Sequence, residues 1–395
     1  MYNARSCTQC HTPSSQETDK APVSLVIMLS IEPGDKQPLS RQEQHQLSHE
    51  GFISEPVYGK QIQTFAYPGA YAEALVKRIN HSRHVAFPDQ QQVQISYPEY
   101  RLETPAYGAF HPAMRSSPRI APRMQGLGLL EAIADEQIIA LEDPHDRDGD
   151  GISGRANRVY DLLSNSERIG RYGWKAAKAS LEHQNLAALA TDIGVSSWLL
   201  PKPEGDCSSA QVECVSLATS TLTSLNPERS GAQADIEATK EMTDLLHAFT
   251  RVMGNEALSV ARKGQAKQAS GKQLFNESGC LACHSDHFKQ PLPGAKWSEN
   301  ITPYSDLLLH DMGEALADNR REFQANGREW RTTPLWGMAH YLKQAPTPML
   351  LHDGRAASVL EAILWHGGEA EASKQRFMAL PETQRQQLIN FVEAL

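Results

Sequence analysis

The chain has 395 residues, enough for two or three domains, with 38 basic against 47 acidic side chains and a formal net charge of −9. That acidic balance speaks against a nucleic-acid binder, which presents a basic face, and suits a protein kept dispersed by mild self-repulsion. The longest nearly apolar run, Val23 to Leu29, is far short of the ~20 residues needed to cross a bilayer.

The first element met along the chain is Cys7-Thr-Gln-Cys10-His11, and its pattern returns as Cys280-Leu-Ala-Cys283-His284. Cys-x-x-Cys-His is the attachment signal for c-type haem. Two thiols one helical turn apart can each add to a vinyl group on one porphyrin edge, and the adjacent histidine supplies the proximal nitrogen. A zinc site would want a second ligand pair close by, and a redox dithiol would want a βαβ context and no histidine. Two covalently bound haem c groups are therefore expected, on Cys7, Cys10, His11 and on Cys280, Cys283, His284. Covalent attachment of this kind takes place outside the bacterial inner membrane, so a periplasmic location is expected. In that compartment Cys207 and Cys214 can form a disulfide, two free thiols being the alternative. The residues before Cys7 leave no room for an export segment, so a missing upstream piece is expected.

Residues 12 to 60 are polar, broken by a strand-like run over 23 to 31. From 56 to 110, recurring Tyr, Pro and Gly with alternating stretches such as Val93-Gln-Ile95-Ser-Tyr97 predict loops and a few short strands. Helices are predicted in the C-terminal part of 118 to 142, over 174 to 191 and over about 235 to 253, with a long loop over 200 to 234. Asp146-Arg-Asp148-Gly-Asp150-Gly151 has the alternating carboxylates and sharp-turn glycine of half a calcium loop. The Ile152 carbonyl completes the pattern, whereas position twelve is Asn157 rather than Glu. Calcium is the expected ion, an Asp/Gly turn the alternative. Farther on, a helix over 271 to 278 delivers Cys280, a Ser358-capped helix runs to His366, and another starts near Pro381. The expected fold is mainly α: two cytochrome c-like haem domains, residues 1–250 and 251–395, with long loops and a few short strands. His310 and His352 are candidates to bond haem propionates or backbone, and Arg328, Arg331 and Arg355 to neutralise propionates, with packing or ion pairing as the alternative.

Longer phrases resemble a known family. They include Tyr2-Asn-Ala-Arg-Ser-Cys7, Asp148-Gly-Asp-Gly-Ile-Ser-Gly-Arg155, Gly170-Arg-Tyr-Gly-Trp-Lys-Ala176 and Tyr304-Ser-Asp-Leu-Leu-Leu-His-Asp-Met-Gly313. Leu351-His-Asp-Gly-Arg355 and Glu361-Ala-Ile-Leu-Trp-His-Gly-Gly368 belong to the same set. The chain resembles the bacterial di-haem oxidoreductases described as peroxidase-like or as "thiol oxidoreductases", and more distantly the dihaem cytochrome c peroxidases. The distant likeness implies that His366 is the second axial ligand of the C-terminal haem, with Met312, Met338, His340 and His310 as alternatives. It also implies a tryptophan between the haems, matched by Trp174, and a glutamine on the distal side of the N-terminal haem, matched by Gln184. Asp192 is the candidate for a nearby carboxylate, although the family position falls near Gly194. Val26, Ile27 and Met28 stand where related peroxidases carry a removable histidine, so the first iron is expected to be open or ligated by Met124, His111 or Met28.

The function implied is a dihaem c-type oxidoreductase. A small redox protein would supply electrons at the C-terminal haem, and peroxide or another small oxidant would react at the N-terminal one. The alternatives are a non-enzymatic electron-transfer protein and a redox or iron-handling accessory protein.

Overall fold

The computed structural model describes residues 1–11, 21–34, 38–225, 236–255, 268–286, 288, 301–345 and 347–395. Its N-terminal part opens with α1 (Cys7–His11), β1 (Leu25–Ile31) and α2 (Arg41–His49), followed by β2 (Leu75–Ala86), β3 (Gln92–Glu103) and β4 (Met114–Ile120). Two short helices, α3 (Leu127–Glu131) and α4 (Asp135–Ile139), precede β5 (Arg158–Asp161), β6 (Ser166–Ile169) and α5 (Leu181–Ala188). Then come α6 (Val212–Leu225), α7 (Lys240–Val252) and α8 (Ala269–Glu277). The last stretch holds β7 (Leu309–Asp311), β8 (Glu329–Arg331), α9 (Met338–Gln344), α10 (Val359–Trp365), α11 (Glu371–Ala379) and α12 (Glu382–Glu393).

The expectation of a mainly α fold with a few short strands is corrected. The structure is about 33% helical and 20% strand, not clearly a mainly α, cytochrome c-like chain. Among the described residues the strands pair into four two-stranded antiparallel sheets. Pro98 in β3 and Pro118 in β4 argue against strands in a sequence, yet in a two-stranded sheet every strand is an edge and a missing N–H need not break the ladder. The hairpin β2–β3 is twelve residues on each side and carries charge on its open face, which masks its period of two. The predicted loop over 200 to 234 also contains α6, while 226–235 lies outside the described residues. The predicted helix over 174 to 191 begins only with α5, because Gly173 and Ala176 take left-handed φ values of 80° and 51° and hold the chain in a turn, and it then runs on as a π-helical turn over Leu189–Ile193. Ser180 then caps α5 by accepting the His183 amide.

Among the described residues, three large buried clusters and a small one of Val159, Ala177 and Phe323 organise the core. The C-terminal cluster holds Phe275, Leu364, Phe377, Leu388 and Phe391, and it also takes Phe87 and Ile95 from the β2–β3 hairpin. A second gathers Leu130, Ile138, Leu181, Leu307 and Trp336, and a third Leu29, Tyr58 and Ile62. Trp174 packs against both the first and the third, so its ring lies between the C-terminal helices and the β1–β4 sheet.

Candidate functional site

The first cysteine motif folds as α1, one helical turn that carries two free thiols, Cys7 and Cys10. The Nδ1–H of His11 donates to the Pro122 carbonyl at 2.9 Å. That bond fixes the tautomer and leaves Nε2 as a free lone pair, the arrangement that orients a ligating imidazole. Burial lowers the His11 pKa and keeps the ring neutral, as metal ligation requires.

These residues open on a cavity of about 1480 Å³, lined also by Trp174, Gln184, Met28, Met124 and Asp192. Trp174 Nε1 donates to the Ile120 carbonyl at 2.8 Å, and its own carbonyl accepts the Arg331 amide. Asp192 accepts a hydrogen bond from Gln61 Nε2 at 2.9 Å, and burial raises its carboxyl to about 6. His111 stands apart: its side chain is exposed and caps the Ala113 amide. Two buried guanidinium groups on this cavity, Arg123 and Arg331, make no ion pair among the described residues. Arg123 donates to the Pro334 carbonyl at 2.6 Å, and Arg331 to the Gly173 and Thr332 carbonyls. Burial lowers both to about 10. Paired thiols, an imidazole with one free nitrogen and two buried cations lacking a carboxylate fit a haem, whose propionates bring the missing negative charge.

The second motif follows the Gly279 bend, φ 82°, as a tight turn over Cys280–Ala282. Cys280 and Cys283 are free, and His284 repeats the geometry of His11, its Nδ1–H donating to the Tyr304 carbonyl at 2.9 Å. His366 ends α10, where Ser358 caps the first turn by accepting the Glu361 amide. Its Nδ1–H donates to the Ala362 carbonyl at 2.7 Å, so its Nε2 is also unoccupied. Burial pushes the His284 ring down to about 4, aided by the neighbouring His366. Two imidazoles that burial keeps neutral, each tied at Nδ1, are residues that could together hold one haem.

His310 sits differently. Its Nε2 meets Asp306 at 2.9 Å and its Nδ1 meets Glu369 at 2.7 Å, with Cys283 Sγ at 3.8 Å. Burial opposes its charge, but the two carboxylates hold its pKa well above the usual histidine value. Both nitrogens donate, and neither has a lone pair for iron. His352 stacks on Trp330 with centroids 3.8 Å apart, and burial pushes it down to about 4. Met338 is buried in the C-terminal cluster and Met312 packs on it, whereas His340 faces the first cavity and contacts Gln344. Arg328 pairs with Asp311 and Arg355 with Asp353, so of the three arginines singled out in the sequence only Arg331 keeps an unpaired cation.

Asp146, Asp148 and Asp150 bring one carboxylate oxygen each to within 4.8 Å of one another. Gly149 and Gly151 take φ 73° and 86° to make the turn. The Asn157 side chain is engaged elsewhere, with Lys175, Glu322 and Gln324, and does not join the loop. Ser153, next along, donates twice to Glu369. Cys207 and Cys214 are joined by a disulfide. No helix among the described residues is long and apolar enough to cross a membrane.

Sequence reasoning missed Arg123 and His183 on the first cavity, and Asp161, which pairs with His183. Their roles depend on contacts with residues far along the chain, which no local pattern announces.

Dicysteine turns at two places, each followed by a histidine tied at Nδ1, make up the residue set that two haems would need. Residues 72–395 match the family model described as "Di-haem oxidoreductase, putative peroxidase", and the chain belongs to that family. The first motif, Cys7 to His11, lies ahead of the matched span. Neither a curated protein nor a solved structure matches the chain.

Proposed function

We propose that this family member is a periplasmic dihaem c-type oxidoreductase of peroxidase character. Electrons from a small redox protein enter at the C-terminal motif, and peroxide or another small oxidant is reduced at the N-terminal one. The observation that carries this reading is the asymmetry of the two histidines. His366 lies near enough to His284 to lower its basicity further, while His11 lines a cavity of about 1480 Å³, large enough for a small substrate beside the cofactor. Bound haem supplies the iron redox chemistry at both ends; the chain supplies attachment, orientation and protons.

Cys7, Cys10, Cys280 and Cys283 would hold the two haems covalently, and His11 and His284 would supply the imidazole nitrogens for their irons. Trp174 relays electrons, a role supported by its place between two packing clusters and by the bond that fixes its indole. Gln184, on α5, offers an amide to whatever occupies the cavity. Asp146, Asp148, Asp150 and the Ile152 carbonyl bind calcium, which relieves the repulsion of three crowded carboxylates. Periplasmic residence is supported by the disulfide and by where covalent haem attachment takes place.

The test is protein matured in a periplasm. Mass spectrometry is expected to find two covalent haems, and the ferric spectrum a high-spin fraction that shifts quickly on adding peroxide. Two wholly low-spin haems, unmoved by peroxide after half-reduction, would make the protein an electron carrier instead.

A further inference from the structure

A buried histidine on the first cavity is paired with a buried aspartate that does not line it. His183, the residue before Gln184 on α5, is 3% exposed and lines the cavity that His11 opens on. Its Nδ1 lies 3.1 Å from Asp161 Oδ1, at the end of β5. The other carboxylate oxygen, Oδ2, accepts the Ser164 amide at 3.0 Å and the Ser164 hydroxyl at 2.9 Å, and Ser180 Oγ approaches Oδ1 at 3.4 Å. Asp161 is thus locked as a carboxylate. Burial pushes it up, but His183 and the Ser164 donors together hold it at about 2. An ionised, acceptor-only carboxylate obliges His183 to carry its proton on Nδ1, which leaves the Nε2 lone pair without a hydrogen bond among the described residues.

We infer that His183, oriented by Asp161, is the proton-transfer group of the N-terminal cavity. A buried carboxylate–imidazole pair with one free nitrogen is the arrangement that makes histidine an effective general base and acid. The inference rests on the peroxidase reading for its substrate. His183 Nε2 takes the proton from one peroxide oxygen and returns it to the other as the O–O bond breaks, so that this second oxygen leaves as water. The first oxygen takes two electrons from the redox-protein donor and two protons from solvent and becomes the second water. Burial lowers the His183 pKa, the Lys178 and Lys60 ammonium groups push the same way, and Asp161 pulls back; the net is a ring neutral at pH 7.

Cyanide tests the role apart from turnover, because hydrogen cyanide must lose its proton before the anion binds iron. In the haem-loaded protein, His183→Gln is expected to slow both peroxide reaction and cyanide association by on the order of 10²-fold at neutral pH. At alkaline pH, where cyanide is already an anion, the cyanide defect is expected to vanish. Asp161→Asn tests the same idea without removing the ring. The Ser164 donors claim the new amide's oxygen, so its NH₂ faces Nδ1 and drives the proton to Nε2, and a similar pH-dependent defect follows. Unchanged cyanide rates in both variants, or a defect that persists undiminished at alkaline pH, would overturn the assignment. A wild-type protein inert to peroxide that still shows the pH-dependent cyanide defect in His183→Gln would instead retire the peroxidase reading and leave His183 as the cavity's base.

Discussion

Removing one carboxylate from the buried ionic core beside Trp174 is expected to destabilise the whole protein. Asp318 Oδ1 accepts from Lys175 Nζ at 2.7 Å and from the Arg320 amide at 3.0 Å, while Oδ2 accepts from Ser117 Oγ at 2.6 Å and lies 3.5 Å from Arg119. Glu322 completes the group, 2.7 Å from Arg119 and 3.1 Å from Arg320. Lys175 and Arg320 are both fully buried. Three cations therefore face two carboxylates, and Asp318→Ala leaves them with one. Burial pushes the Asp318 carboxyl up, yet Lys175 and Arg119 hold it below the usual aspartate value, so the charge is in place at neutral pH. Breaking a buried pair from one side costs about 3–5 kcal/mol, against about 0–1 for a surface pair. Urea unfolding of the haem-loaded protein, followed by circular dichroism and Soret absorbance together, measures the loss. The double change Lys175→Met with Asp318→Leu removes one charge of each sign and is expected to recover a good part of it. A loss below about 1 kcal/mol in Asp318→Ala would refute the argument, as would a double variant no better than the single one.

His366→Gly is expected to convert a low-spin ferric signal to high-spin in an EPR spectrum, and an unaltered spectrum would remove His366 from the iron. Arg331→Met deletes a buried cation from the first cavity, so the midpoint potential of the N-terminal haem is expected to fall in spectroelectrochemistry; an unmoved potential would place that guanidinium away from the haem. Burial raises the Glu322 carboxyl, but Arg119, Arg320 and Lys178 bring it down to about 2 from an ordinary 4.5. A depressed folded pKa contributes stability above pH 4.5 that is lost as pH falls toward 2. Glu322→Gln is expected to be less stable at neutral pH and to have a flatter acid limb, and an equally steep limb followed by circular dichroism would count against the assignment. Calcium added to chelator-stripped protein is expected to raise the melting temperature, and Asp148→Ala to abolish the rise; an unchanged melting temperature in wild type would leave the loop a bare turn.

Much of the chemistry was legible because it is local. A Cys-x-x-Cys-His pentamer carries its meaning within five residues, and Ser358 announces the helix that ends at His366. What escaped was set by distance along the chain. Pro122 anchors His11 through a backbone carbonyl, which any residue could have offered. Asp161 and His183 gain their meaning only when β5 and α5 meet. The long hairpin was read only in part, as the alternating run from Val93 to Tyr97; its full length escaped because its solvent face is charged and a proline interrupts the alternation, although two-stranded pairing tolerates both. The helix α2, opened by a capping box between Ser40 and Glu43, lay in a stretch whose polar composition hid a short exposed helix.

The β2–β3 hairpin has a consequence for how the molecule is made. Its tip belongs to the N-terminal half yet is stitched into the C-terminal helices: Arg385 holds Asp89 and Gln91, and Arg83 lies over the ring of Trp365, next to His366. A polypeptide emerging N-terminus first from the ribosome would present this hairpin long before the helices that receive it exist. Its apolar residues, Phe87 and Ile95 among them, must wait for the last hundred or so residues, so the two halves finish folding together rather than in turn. A fragment cut near residue 250 would lack this clasp, and each piece would expose a sticky face to the other.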